Sequence, residues 1–181
     1  YYIPNGLYQR VLFYRTDWFK EAGIEVPKTW DELYLAGQKL TNAAKNRYGY
    51  SFRGGPTGWD YVLITMWAYN GTKVDPNSSF FLKDGSTLFS TPESLEALTF
   101  YKNMYKDVSP PDSVSWGFPE MVQGFVSGTT AMLIQDPDVI DAAKEKMKEG
   151  TWATAPLPIG PSGVAQQVVG GPGWGMTSYS K

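Results

Sequence analysis

Short β-favouring runs alternate with capped helical segments along most of the chain, and this alternation constrains the fold more than any other feature. GLYQRVLFY, residues 6–14, is rich in β-branched, aromatic and apolar types and reads as a strand. TDWFKEAG follows as a short helix, with Thr16 as its N-cap and Gly23 as its stop. In PKTWDELYLAGQKLTNA, Thr29 and Glu32 have the spacing of a capping box, in which each side chain satisfies an orphan backbone donor near the other. Trp30, Leu33, Gly37 and Leu40 then share one helical face, so Trp30 is expected in the core. Trp59 to Tyr69 is apolar nearly all round, which predicts a buried helix. Thr91 and Pro92 open another helix, with Ala97, Tyr101, Met104 and Val108 on its inner stripe. FPEMVQGFVSG is a helix stopped by Gly128, and TTAMLIQ is a buried strand. DVIDAAKEKMKEG is a final helix behind Pro137, and TWATAPLPIG is extended. Strands joined by long crossovers predict an α/β fold whose sheet is at least partly parallel.

Composition narrows function by exclusion. The 181 residues contain neither Cys nor His, which removes disulfides, thiol nucleophiles, imidazole bases and the usual zinc ligand sets. Net charge is −2 with no basic run, so the electrostatic footprint of a nucleic-acid binder is missing. No metal site or cofactor is expected: DPD at 136–138 and DPNSS at 75–79 lack the dense spacing of a calcium loop. GGPGWG does not fit a phosphate cradle, because Pro172 interrupts it and no amphipathic helix follows.

What remains is aromatic. The 7 Trp and 12 Tyr exceed what a core of this size requires, so some rings are expected at a cleft or an interface. Trp59 and Tyr61 stand at a loop-to-helix start, Trp116 in a Pro-rich loop, and Trp174 in VVGGPGWGMTS among Gly170, Gly171, Gly173 and Gly175. Glycines there permit either a turn that packs Trp174 inward or a backbone that a ligand can approach closely. Large rings near Asp60, Asp112 and Asp136 suit a sugar, whose C–H faces stack on rings and whose hydroxyls pair with carboxylates. Two carboxylates among aromatics also allow a glycoside hydrolase, which would need a defined separation between them.

The order of motifs resembles the extracellular solute-binding proteins of bacterial ABC importers, in the carbohydrate-binding, maltose-binding-protein-like group. LFYRTDWFKEAGIEVPKTWDELYLAGQKLT is similar to that group's strand, Asp-x-Phe helix and Pro-x-Thr-Trp-x-Glu-Leu series. FSTPESLEALTFYKNMY, FPEMVQGFVSGTTAMLIQ, ATAPLPIGP and GGPGWGMTSYSK follow in the family's order. Two positions depart from it. Arg15 stands where the group usually has Asn, and DPDV replaces Trp-containing text after the AMLIQ strand. Asp136 or Asp138 would there supply hydrogen bonds where relatives stack a ring.

The resemblance implies a type II periplasmic-binding-protein lobe, with a mixed, mostly parallel sheet flanked by helices. Residues 1–181 are expected to form one α/β lobe, the second of two, without the first lobe or the C-terminal helices. It implies a non-enzymatic, monomeric subunit that binds a mono- or oligosaccharide between lobes and delivers it to membrane permease subunits. It implies export to the periplasm, or to the cell surface as a lipoprotein, with a signal segment outside these residues. Trp174 and Trp59 are the expected stacking surfaces; Asp60, Trp116 and Asp136 the polar or rim contacts; Tyr8 a further contact; and Gly173 the place of close backbone approach. A non-sugar solute on the same fold, and a domain whose rings form a protein contact, remain alternatives. Arg10, Arg15 and Arg53 carry no sequence signal that sets them in a cleft.

Overall fold

The computed structural model describes residues 2–165 and 169–179. Local chemistry sets the helix starts. Thr29 Oγ1 accepts the Glu32 N–H at 3.2 Å, and Glu32 Oε2 accepts the N–H groups of Thr29 and Lys28 at 3.3 and 2.6 Å. This box opens α2 (Trp30–Leu40), which turns Trp30, Leu33, Ala36, Gly37 and Leu40 inward. The expected cap of α1 (Thr16–Ala22) is different. Thr16 is already helical, and its hydroxyl donates to the Gly150 carbonyl at 2.6 Å instead of capping. Asp17 Oδ1 accepts the Trp18 N–H at 3.0 Å in the first turn, and Gly23 ends the helix at φ +60°. Thr91 Oγ1 accepts the Ser94 N–H at 3.0 Å and opens α4 (Pro92–Val108).

A four-stranded sheet orders β4 (Tyr48–Tyr50), β5 (Thr130–Gln135), β3 (Val11–Arg15) and β6 (Trp152–Ala155). β4 pairs parallel with β5, through Tyr48↔Thr130 and Tyr50↔Met132. β3 runs antiparallel to both its neighbours, with Phe13 opposite Leu133 on one side and Thr154 on the other. β4, β5 and β6 point the same way, but two of the three pairings are antiparallel, so the sheet is mixed and not mostly parallel as expected. The reversed β3 lies between β5 and β6, so β4–β5 is the parallel pair within this sheet. The chain enters through β3, and each later strand is reached by a helical crossover.

The core is dry. Every residue of β5 is buried, and Phe13 meets Phe125 of α5 (Phe118–Val126) edge-on at 6.3 Å. α3 (Trp59–Asn70) packs on α4, and Trp30 meets Phe100 edge-on at 5.7 Å. α2 crosses β4 so closely that a Cβ on Gly49 would stand 2.2 Å from the Gly37 carbonyl oxygen, and no side chain fits there. α6 (Val139–Lys146) buries Val139 and Ala143.

The chain leaves this body as a thin ribbon. β2 (Tyr8–Gln9) pairs antiparallel with β7 (Val169–Gly170), and β1 (Tyr2–Pro4) with β8 (Gly173–Gly175). The registers are Ile3↔Trp174 and Tyr8↔Gly170. Residues 5–7 thus face only Gly171 and Pro172, so the ribbon carries one extra residue in its first strand. The Asn5 N–H donates to the Pro172 carbonyl at 2.8 Å across this bulge. VGGPGWG, residues 169–175, is therefore two extended pieces meeting at Gly171 and Pro172, and not a turn that packs Trp174 inward. The residues 166–168 that lead into it lie outside the described residues.

Candidate functional site

Arg10 stands between β2 and β3, where the ribbon joins the sheet, and is only 6% exposed. A buried guanidinium must find partners. Its Nη2 donates to Asp60 Oδ2 at 3.1 Å, and its Nε lies 3.9 Å from Asp136 Oδ1. The guanidinium carbon sits 4.3 Å above the Tyr61 ring centroid, within cation–π range. Nη1 is buried without a hydrogen-bond partner among the described residues.

Three elements converge here. The first turn of α3 supplies Asp60 and Tyr61, and the end of β5 supplies Gln135 and the adjoining Asp136. The junction before β3 supplies Arg10. Behind the charges lies a closed polar relay. The Tyr61 hydroxyl donates to the Ile134 carbonyl at 3.1 Å and accepts from Gln135 Nε2 at 2.9 Å. Gln135 Oε1 accepts the Asp136 N–H at 2.9 Å. Burial pushes the Tyr61 hydroxyl above its ordinary value, against the opposing pull of Arg10, so it stays a neutral donor. Burial also raises the Asp136 carboxyl. Arg10 draws it back, while Asp138 and Asp60 add to the rise.

The sequence-expected residues divide into three groups. Asp60 and Asp136 meet on Arg10. Trp59, beside Asp60, is 61% exposed at the start of α3. Tyr8, Gly173 and Trp174 belong to the ribbon, where Trp174 is 70% exposed and pairs across from Ile3. Trp116 stands apart. Its Nε1 donates to Asp112 Oδ2 at 3.1 Å, and its ring lies where a Cβ on Gly124 would come within 2.7 Å. It lines a different groove of about 630 Å³ with Phe118, Val122, Gln123 and Lys146. Of the arginines, Arg15 pairs with Asp17 at 2.6 Å and Arg53 Nε donates to the Pro56 carbonyl at 2.9 Å. Among the described residues, no cluster of three or more His, Cys, Asp or Glu is placed to hold a metal ion.

Arg10 and Gln135 escaped the sequence reading as parts of the site, and Tyr61 stood there only among the candidate aromatics, not among the expected contacts. Arg10 is the one charged residue of the run 6–14, and once the fold buries it the charge must be met by acids from elsewhere in the chain. The cluster can accept hydrogen bonds from a ligand through Asp60 and Asp136, which are partly exposed.

The family model for bacterial extracellular solute-binding protein matches residues 1–181. A binding protein of Brucella abortus (strain 2308) is 31% identical over 166 residues, covering 90% of this chain and 39% of its own length. The chain therefore spans about two-fifths of that relative. A solute-binding protein of an ABC transporter from Agrobacterium radiobacter K84, solved with ribitol, is 26% identical with a TM-score of 0.78. That match covers 95% of this chain and 42% of the other. Maltose-bound MalE3 of T. maritima superposes with a TM-score of 0.85 over 99% of this chain and 46% of its own, at 24% identity, which speaks to the fold alone. These neighbours have the type II periplasmic-binding-protein fold.

Proposed function

The chain belongs to the bacterial extracellular solute-binding proteins, and from that premise we propose that it forms one lobe of the substrate-binding subunit of an ABC importer. Its ligand is a sugar or polyol, held without chemical change in a cleft that this lobe walls on one side. The protein acts outside the cytoplasmic membrane and hands its ligand to permease subunits there. The observation that carries this reading is the meeting of Asp60 and Asp136 on Arg10 at the start of the helix whose first residue is the exposed Trp59. Carboxylates accept from ligand hydroxyls while an indole face stacks on C–H groups, which is the recognition a polyhydroxylated solute needs. Trp174, Gly173 and Tyr8 would meet the ligand from the ribbon, and Trp116, on its separate groove, is left out of the proposal. A relative solved with ribitol supports including polyols beside sugars.

The test is a tryptophan-fluorescence titration of the full-length protein with ribitol, maltose and a panel of mono- and oligosaccharides, repeated with Trp59→Ala. A saturable change with one solute, weakened at least tenfold in the variant, is the expected outcome. That factor corresponds to about 1.4 kcal/mol of lost contact. A flat response across the panel sinks the carbohydrate reading. New reducing ends released from an oligosaccharide would instead make the protein a hydrolase.

A further inference from the structure

The charges of the Arg10 cluster are not equally available to a ligand. The Arg10 side chain is 7% exposed, whereas those of Asp60 and Asp136 are 22% and 24% exposed. One donor of Arg10 is spent on Asp60, its Nε faces Asp136, its plane lies over Tyr61, and Nη1 is sealed from solvent. The cation is turned into the protein, and the two carboxylate side chains are the more exposed members of the cluster. Asp138 adds a further carboxylate near Asp136, while Arg53 is the second cation that acts on it. Counting these five side chains, two positive and three negative charges leave the site net negative.

Resting on the reading above, we infer that this site selects its solute by charge: it admits neutral polyhydroxylated or ammonium-bearing ligands and disfavours sugar acids, with Asp60 and Asp136 as the specificity-determining residues and Arg10 as the positioning residue that holds them. The alternative, an arginine that captures a carboxylate ligand in a bidentate fork, needs a free pair of donors. Arg10 has none facing outward. A ligand carboxylate would meet like charges in a partly desolvated place, where each such pair is a repulsion of the kind that enforces specificity. A hydroxyl or an ammonium group would donate to the same oxygens.

The experiment uses ligand sets that differ in charge and little else: ribitol against ribonate, and glucose against glucosamine and glucuronate. Each is titrated by calorimetry into the full-length protein and into its Asp60→Asn and Asp136→Asn forms. In the unaltered protein the carboxylate member should bind roughly tenfold or more weakly than its neutral counterpart. Asp136→Asn should narrow that gap. It should also weaken the neutral member by roughly tenfold, the scale of one hydrogen bond to a charged group. An ammonium-bearing ligand should lose more than a neutral one in the same variant. Equal or tighter binding of the acids overturns the inference, as does a gap unchanged in both variants. In either case the carbohydrate reading survives, because the neutral members still bind. If no member of either set binds and the wider mono- and oligosaccharide panel is flat as well, both fall together; if another sugar of that panel binds, its own acid and amine derivatives replace these sets and the same outcomes apply. Thermal melts of each variant distinguish altered selectivity from lost folding.

Discussion

The sheet body and the ribbon that leaves it are built on opposite terms. In the body, β5 is buried along its whole length, and large side chains such as Phe13, Leu33, Met121 and Phe125 are sealed from water. In the ribbon, Ile3, Leu7, Trp174 and Met176 are all exposed, and the pairing rests on backbone hydrogen bonds. An isolated two-stranded ribbon is marginal in water. The body holds itself together by burial, while the ribbon offers apolar side chains that nothing described here covers. Arg10 lies at the boundary between the two, buried like a core residue and charged like a surface one.

That contrast can be broken by substitution, starting where burial is deepest. Phe125→Ala should destabilise the protein by about 3–5 kcal/mol, the scale for emptying a buried aromatic site. Urea denaturation would measure it, and a loss under about 1 kcal/mol would mean that the core relaxes around the cavity far more freely than a close-packed interior does. At the boundary the effect should be smaller and depend on pH. Burial raises the Asp136 carboxyl from its ordinary value of 3.8, so the folded state binds that proton more tightly than the unfolded chain does. Its contribution to stability is complete below that ordinary value and is lost as pH rises through the raised one. Asp136→Asn should remove this part of the pH dependence, leaving the variant at least as stable as the parent at neutral pH. Melting both across pH 4 to 7 checks the sign, and a variant that loses ground as pH rises would reverse it. Trp174→Ala should change stability least, within about 0.5 kcal/mol, because the ring packs little in the described structure. A loss of several kcal/mol would show that the ribbon is anchored like the body.

The sequence was legible where a short-range rule decides the outcome. The Thr29–Glu32 box acts over one helical turn, Gly23 and Gly128 sit at positive φ where helices end, and Trp30 follows the period of its own helix into the core. Thr16 falls one residue inside its helix, with Arg15 at the cap position, because its N–H and hydroxyl tie the helix start to the distant carbonyls of Thr151 and Gly150. The candidate site was half legible. Asp60 and Asp136 stood out as acids near aromatics, but their meeting on Arg10 joins residues 50 apart through a hydrogen bond and reaches the end of β5 as well. Such a junction is a product of sheet order, which helix caps and hydrophobic period do not encode. Trp116 looked like a site residue for the same compositional reasons as Trp59. Its difference lies in the loop that ties it to Asp112 and lays it against Gly124.

The extra residue in the ribbon has a consequence of parity. Side chains on a pleated strand alternate between two faces, so an even number of steps returns to the same side and an odd number crosses it. Ile3 and Tyr8 are an odd number of steps apart, and unbroken alternation would send them to opposite faces. The partner strand takes an even number of steps from Trp174 to Gly170, and Tyr8 lies across from Gly170. The miscounted residue therefore brings Tyr8 round to the face shared by Ile3 and Trp174. Removing Gly6 would give both strands four steps, so Tyr8 would keep that face by plain alternation and only the kink between the two pairings would be lost.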